Sequence, residues 1–338
     1  MIYIIYLVLA AGVVYLSVLA SKYVDMLEKM TPLSGAFIGG IMLSAVTSLP
    51  EMFTSISSTL LLDKPGLCMG NILGSDLFNI MVLAVLIIAF SKDFSAHPLA
   101  RSHERVVALV TVMYIALSQN YRGVLDHVFF GISITSVIII ALYGISVRLL
   151  ATEDGENLPD NHDLVEVRED MADNLEGGKE LIMEDDLPDI TLKGLIIRFV
   201  VVSIGIIGVS IAITYVTDEI AVKLGLGSGI AGAIFLGIAT SLPEVSSTMA
   251  LFKMRSFDIG FGNIIGSNLF NFTILAVVDL IYIGRGVYDF SDPKNIYLMN
   301  FGLVATLAAW VLVRVKKRSA KVALSLLIIG CYAGFLVL

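Results

Sequence analysis

Apolar stretches as long as a bilayer is thick recur from one end of this chain to the other, and that leaves few options for its fold. Ten can be delimited, at roughly 2–20, 35–62, 66–90, 103–119, 125–148, 194–216, 227–252, 259–283, 296–313 and 322–338. Each is near or above the ~20 residues a helix needs to cross ~30 Å of hydrocarbon. Lipid offers no partners to backbone N–H and C=O groups, so a spanning segment is a helix or part of a closed barrel, and runs this continuous are helical. Only 15% of the 338 residues are charged, against about 25% in soluble domains. The expected fold class is therefore an all-α membrane protein with ten transmembrane helices.

Charge placement gives the expected topology. The first stretch has no basic residues ahead of it; Lys22 and Lys29 follow it, which is not the pattern of a cleavable signal. With the N-terminus outside, the inside loops hold 17 Lys and Arg residues and the outside loops 5, a strong positive-inside bias. Both termini then face out, in a multi-pass protein of the cell membrane. The net charge of −8 comes largely from residues 151–190, which carry 15 of the 30 acidic residues. This segment reads as a solvated cytoplasmic linker, without the spacing of an EF-hand loop, and it does not point to a nucleic-acid partner. Protein partners are not legible. Two cysteines, Cys68 and Cys331, are too few and too distant to suggest a disulfide framework or a metal site.

The chain repeats itself. Thr47-Ser-Leu-Pro-Glu51 recurs in full at 240–244, and Gly70-Asn-Ile-Leu-Gly-Ser-Asp-Leu-Phe-Asn79 matches residues 262–271 at eight of ten positions. The offsets are 193 and 192, so order and spacing are kept. Domain organisation follows as 1–150, a first repeat of five spans; 151–190, the acidic linker; and 191–338, a second repeat of five spans. Five is odd, so the second repeat enters the membrane from the opposite side, giving two inverted five-helix repeats. Transporters built in this way place their ion site near the midplane, where the repeats meet.

The repeated residues carry the chemistry. Glu51 and Glu244 lie inside otherwise apolar segments, where a charge costs at least ~2.5–3.5 kcal/mol and signals function; the bland alternative is a structural carboxylate bonded to a neighbouring helix. Pro50 and Pro243 remove a backbone hydrogen bond just before each glutamate. Thr47 and Glu51, like Thr240 and Glu244, are four apart and share a helix face. Asn71, Ser75 and Asn79 form a polar stripe at i, i+4, i+8, repeated by Asn263, Ser267 and Asn271. Gly70/Gly74 and Gly262/Gly266 are small-xxx-small pairs, best read as close helix contacts. The assembled donors are carboxylate, hydroxyl, amide and carbonyl oxygens, which suit a hard cation such as Ca²⁺ rather than a soft metal. His97, His103, His127 and His162 fall in loops or at span ends.

These motifs resemble the alpha-repeats of the Na⁺/Ca²⁺ exchanger family, in the cation/Ca²⁺ exchanger superfamily, and most closely its compact prokaryotic members. The resemblance covers all ten spans. It implies a secondary active antiporter that exchanges Ca²⁺ for Na⁺ by alternating access, with no bound cofactor. The second, third, seventh and eighth helices would surround the ions. The implied ligands are Thr47, Glu51, Ser75 and Asn79 with Thr240, Ser241, Glu244, Ser267 and Asn271. Pseudo-symmetry adds Ser48, and the family's use of backbone carbonyls adds those of Ser44 and Gly237. Some relatives carry aspartate at the position of Asn271. Conversely Asp76 stands where its repeat mate is Asn268; it could approach the site or pair elsewhere, and a nearby structural role is the preferred reading. Two alternatives remain: an H⁺/Ca²⁺ exchanger, against which stands the lack of a Gly-Asn-x-x-Glu pattern around the glutamates, and a cation channel, for which two glutamates make a poor ring. An enzyme is not expected, since no nucleophile–base pair is visible.

Overall fold

The computed structural model describes residues 1–30, 47–97, 99–153 and 191–338. Among the described residues a helix overlaps each of the ten expected spans: α1 (Ile2–Met30), α2 (Leu49–Ile56), α3 (Pro65–Ala89), α4 (Arg101–Tyr121), α5 (Ile134–Glu153), α6 (Leu192–Leu224), α7 (Ser228–Lys253), α8 (Phe257–Ile281), α9 (Pro293–Arg314) and α10 (Arg318–Val337). Seven of them, all but α2, α4 and α5, are long and apolar enough to cross a membrane on their own. A short helix, Ser91–Ala96, links α3 to α4. Residues 35–46 of the expected second span lie outside the described residues, as do Ser44 and residues 154–190 of the acidic linker. The last turn of α5 takes in residues 151–153, so the helix runs slightly into the stretch assigned to the linker.

Helix starts follow local chemistry. Pro65 and Pro293 stand in the first turns of α3 and α9, where a missing N–H costs nothing and a fixed φ favours the helix. Asp292 caps α9 by accepting from Lys294 N at 2.9 Å, and its other oxygen accepts from Gly229 N at 2.7 Å. One carboxylate thus ties the starts of α7 and α9 together.

The bundle sorts its helices by burial. In α3, α7 and α8, 67% of the most apolar window is buried, against 17% in α1 and 22% in α6. α2, α3, α7 and α8 pack on one another at the centre. α1 lies along α6 on one flank, while α4, α5, α9 and α10 cover the other. What the flanking helices expose is itself apolar, as at Ile196, Ile197, Val200, Val201 and Ile204 of α6, a surface that suits lipid and not water. α6 has 33 residues, about 50 Å at the helical rise, and so needs tilt or protrusion to match a bilayer.

The α3–α7 crossing is as close as the glycine pairs predict. A β-carbon on Gly70 would come within 2.4 Å of the Gly229 carbonyl oxygen, and one on Gly74 within 2.3 Å of Ala233 Cα. Gly262, in the second pair, accommodates the His103 ring.

Interhelical ion pairs collect at the two ends of the bundle. Lys64 pairs with Asp218, and Asp63 with Arg285 at 3.1 Å. At the opposite end Glu104 meets Arg314 at 2.6 Å, Asp93 meets Arg255, and Asp258 meets His103 at 3.1 Å. Each pair joins residues that the charge distribution places on the same side.

One expected boundary is wrong. The span read at 125–148 is helical only from Ile134; before it, Val128–Phe129 and Ile132–Ser133 form an antiparallel hairpin. Phe130 and Gly131 at its tip both have positive φ (51° and 83°), the geometry of a two-residue hairpin turn. Val128, Phe129 and Phe130 read as the start of a span, yet they are exposed at the bundle's end, where aromatic residues favour the membrane–water interface. Cys68 and Cys331 are free and buried.

Candidate cation-binding site

The two Thr-Ser-Leu-Pro-Glu motifs differ in their backbones. Ser48 has φ −90° and ψ 11°, and α2 starts afresh after it with Pro50 and Glu51 in the first turn. Glu51 therefore sits in the first turn of α2, next to this break. α7 stays continuous through Pro243 but passes through a π-helical stretch at Gly232–Gly237 one turn earlier. Such bulges loosen the backbone ladder and gather at functional sites. Pro243 offers no N–H to the carbonyl four residues before it, and the nearby Gly237 carbonyl accepts from Ser75 Oγ of α3 at 3.2 Å.

The two motifs meet and exchange hydrogen bonds crosswise. Ser48 Oγ donates to Glu244 Oε1 at 3.2 Å, and Ser241 Oγ donates to Glu51 Oε1 at 3.3 Å. The Thr47 hydroxyl also faces Glu244, and that of Thr240 faces Glu51. Both glutamates are essentially inaccessible, at 0% and 1% exposure, and the Oε2 atom of each has no hydrogen-bond partner. A buried carboxylate oxygen without a donor is costly. Two of them, brought together by inverted motifs, mark a place that a cation would stabilise.

α3 and α8 contribute in two ways that the sequence stripe does not separate. Asn71 Nδ2 donates to Glu51 O, Thr54 Oγ1 and Ser55 Oγ at 3.4, 2.9 and 3.0 Å. Asn263 Nδ2 does the same to Glu244 O, Thr248 Oγ1 and Ser247 Oγ at 3.4, 2.9 and 3.0 Å. These two asparagines lock each glutamate-bearing segment to the next helix of its own repeat. Asn71→Ala and Asn263→Ala should each cost about 2 kcal/mol, since buried acceptors lose their donor. Thermal unfolding in detergent checks this; unequal losses would contradict the symmetry of the two brackets.

Farther along the stripe, the side chains reach across to the other repeat. Asn79 Nδ2 donates to Asn268 Oδ1 at 3.1 Å, and Asn271 Nδ2 donates to Asp76 Oδ1 at 2.9 Å. The Oδ1 atoms of Asn79 and Asn271, and Ser267 Oγ, are buried without partners. All ten residues singled out in the sequence (Thr47, Ser48, Glu51, Ser75, Asn79, Thr240, Ser241, Glu244, Ser267 and Asn271) are buried on the four central helices or, for Thr47 and Ser48, at the start of α2. The free atoms are all oxygens. Among the described residues no three His, Cys, Asp or Glu side chains cluster, so the donor set is dominated by hydroxyl and amide groups. Sequence reasoning missed Asn268 and Tyr114. Asn268 is signalled by its place in the repeated motif; a tyrosine in an apolar span carries no signal.

Comparison with known proteins gives the fold and the family. The inner membrane protein YrbG of Escherichia coli (strain K12) is 28% identical over 241 residues, covering 70% of this chain and 66% of that protein. An uncharacterized membrane protein of Methanocaldococcus jannaschii is 24% identical over 240 residues, covering 70% of this chain and 67% of that one. Among solved structures, the sodium-calcium exchanger NCX_Mj has a TM-score of 0.59 at 18% identity, covering 100% of this chain and 99% of the other. The H⁺/Ca²⁺ exchanger CAX has a TM-score of 0.59 at 12% identity, covering 98% of this chain and 86% of the other. The fold is thus the multi-span helical architecture of these transporters. The family described as sodium/calcium exchanger protein matches residues 3–151 and 194–338, in both repeats. With the crosswise pair of motifs at its centre, this chain belongs to the sodium/calcium exchanger protein family.

Proposed function

We propose that this chain exchanges Ca²⁺ for Na⁺ across the cell membrane by alternating access. The reading is carried by one observation: Glu51 and Glu244, each bound by a serine of the other repeat, keep one buried oxygen apiece without a partner. Ca²⁺ takes 6–8 oxygens in irregular geometry. The two carboxylates, the hydroxyls of Thr47, Ser48, Ser75, Thr240, Ser241 and Ser267, the amide oxygens of Asn79 and Asn271, and the Gly237 carbonyl supply oxygens of the right kind. Na⁺ ions compete for the same groups. Without a cation, two like charges would have to be buried together, which is costly, so the empty carrier seldom changes sides. That cost couples the two fluxes.

The topology goes with it: both termini outside, the linker 151–190 cytoplasmic, and residues 1–150 and 191–338 acting as two repeats that gate opposite faces. This is supported by the bias of 17 basic residues to 5 and by ion pairs confined to one side each. H⁺ is the rival counter-ion, favoured by the shared fold of an H⁺/Ca²⁺ exchanger, at lower identity than the sodium-calcium exchanger. The test is Ca²⁺ uptake into liposomes holding the purified chain, driven in turn by a Na⁺ gradient at fixed pH and by a pH gradient without Na⁺. Uptake with the first gradient alone is expected. Uptake with the second alone replaces Na⁺ by H⁺, and single-channel currents in a planar bilayer would replace exchange by conduction.

A further inference from the structure

Asp76 is where the repeat symmetry breaks. Its counterpart, 192 residues on, is Asn268, and both are fully buried. The two side chains do matching work in one respect: each accepts an N–H from the asparagine of the opposite repeat, Asp76 from Asn271 and Asn268 from Asn79. They differ in the rest. Asn268 donates its own Nδ2 to the Asp76 backbone carbonyl at 3.0 Å. Asp76 instead turns its second oxygen to the Tyr114 hydroxyl, 3.5 Å away. Tyr114 has little freedom. Its ring stands edge-on to Phe272 with centroids 4.7 Å apart, and its hydroxyl fills the space beside Gly302, where a β-carbon would come within 2.5 Å.

An amide side chain has a donor end and an acceptor end, and only the acceptor end can hold a cation. A carboxylate accepts only. With Asp76 as its neighbour, Asn271 has to present Nδ2, which leaves Oδ1 buried and unpaired. Asn268, pinned through its N–H to the Asp76 backbone, in turn presents Oδ1 to Asn79, and Asn79 Oδ1 is left in the same condition. Asp76 does not join Glu51 and Glu244 as a third acidic group in one cluster, and its oxygens already have donors. It acts through its neighbours.

We infer that Asp76 is the positioning residue that fixes which way the site amides point, turning Asn271 Oδ1 directly and Asn79 Oδ1 by way of Asn268 toward the cation. The inference rests on the exchanger reading given above and adds to it the residue that sets Ca²⁺ affinity. Tyr114 makes it sharply testable. In Asp76→Asn the Tyr114 hydroxyl, whose hydrogen has no other acceptor among the described residues, holds the new amide by its oxygen and so turns its N–H₂ to Asn271. Two donor ends then face one another, and Asn271 must rotate, withdrawing Oδ1 and offering N–H₂ to the cation. Exchanging the pair, Asp76→Asn with Asn271→Asp, repairs this: the new amide donates to the new carboxylate, whose second oxygen again faces the pocket. Adding Tyr114→Phe to Asp76→Asn releases the new amide to turn round.

The experiment is equilibrium binding of radiolabelled Ca²⁺ to the purified full chain in detergent, with KM and Vmax of uptake measured in liposomes. Asp76→Asn should raise Kd and KM at least about tenfold, the scale of one lost charge-assisted contact, with Vmax much less affected. The exchanged pair should return Kd to within about threefold of wild type, and adding Tyr114→Phe should recover part of the loss. A wild-type Kd in Asp76→Asn, or an exchanged pair that binds no better than the single variant, overturns the inference while leaving the exchanger reading intact. Should Asp76→Asn not yield folded protein, the exchanged pair decides alone: folded and binding supports the inference, folded and not binding refutes it. A wild-type chain that binds no Ca²⁺ removes the exchanger reading first and this inference with it.

Discussion

Glu51→Gln and Glu244→Gln should each reduce Na⁺-driven Ca²⁺ uptake by at least about 100-fold, roughly 2.7 kcal/mol of lost cation stabilisation. The substitution keeps the side chain's shape, and its amide oxygen can still accept from Ser241 or Ser48. What changes is the second atom. In place of a bare oxygen, the pocket meets an N–H₂ group with no acceptor and a weaker field. Breaking a buried charge pair by removing one partner typically costs about 3–5 kcal/mol, so the figure of 100-fold is a lower bound. The inverted arrangement adds a condition that a one-sided site would not impose: the two variants should be equally severe, because each glutamate receives the same serine bond from across the interface. Ser48→Ala and Ser241→Ala remove one neutral donor each and should cost far less. Uptake above a tenth of wild type in either glutamine variant, with the protein folded, would remove these residues from the ion path.

The carboxylates were legible in the sequence because charge in an apolar span is expensive, and duplication in Thr-Ser-Leu-Pro-Glu made coincidence untenable. The glycines were legible for a different reason: small-xxx-small spacing predicts contact without needing to know the partner, and Gly70 and Gly74 indeed meet Gly229 and Ala233 of α7. Periodicity could not say which neighbour each member of a polar stripe meets. Asn71, Ser75 and Asn79 share one face of α3, yet Asn71 bonds within its own repeat while Ser75 and Asn79 reach the other. That division depends on how far along α3 the second repeat begins to cross, a property of packing alone. Tyr114 was invisible because its ring is at home in lipid or core, and only packing brings its hydroxyl within 3.5 Å of Asp76. The hairpin at 128–133 was misread for a related reason, since hydropathy treats Val-Phe-Phe at an interface like Val-Phe-Phe in a span.

Of the helical glycines among the described residues, Gly232 should be the least replaceable and Gly144 among the most, although the substitution to alanine is chemically identical. In an unconstrained helix Gly→Ala stabilises by up to about 1 kcal/mol. Gly144 in α5 has nothing within 4 Å of a new β-carbon, so Gly144→Ala should raise the unfolding temperature slightly. At Gly232 the β-carbon would lie 2.4 Å from Leu67 O, 2.6 Å from Asn71 N and 2.9 Å from Gly70 C. These are backbone atoms of α3, with no rotamer to change, so the two helices must separate. Overpacking of this kind costs about 1–3 kcal/mol in an ordinary core, and here it should reach or exceed the upper end, because a rigid helix moves as a whole. The displacement would not stay local. Asn71 would be pulled from its bracket on Glu51, and one turn on, where Gly237 already lies against Ser75 N and Asn71 O, the bond from Ser75 Oγ to the Gly237 carbonyl would open. Gly232→Ala should therefore lower thermal stability and weaken Ca²⁺ binding together, whereas Gly144→Ala should leave binding unchanged. Thermal unfolding and Ca²⁺ binding on the same preparations check both. If Gly232→Ala proved neutral in both, α3 and α7 would not cross at this distance, and the carbonyl they bring to the site would have to come from elsewhere.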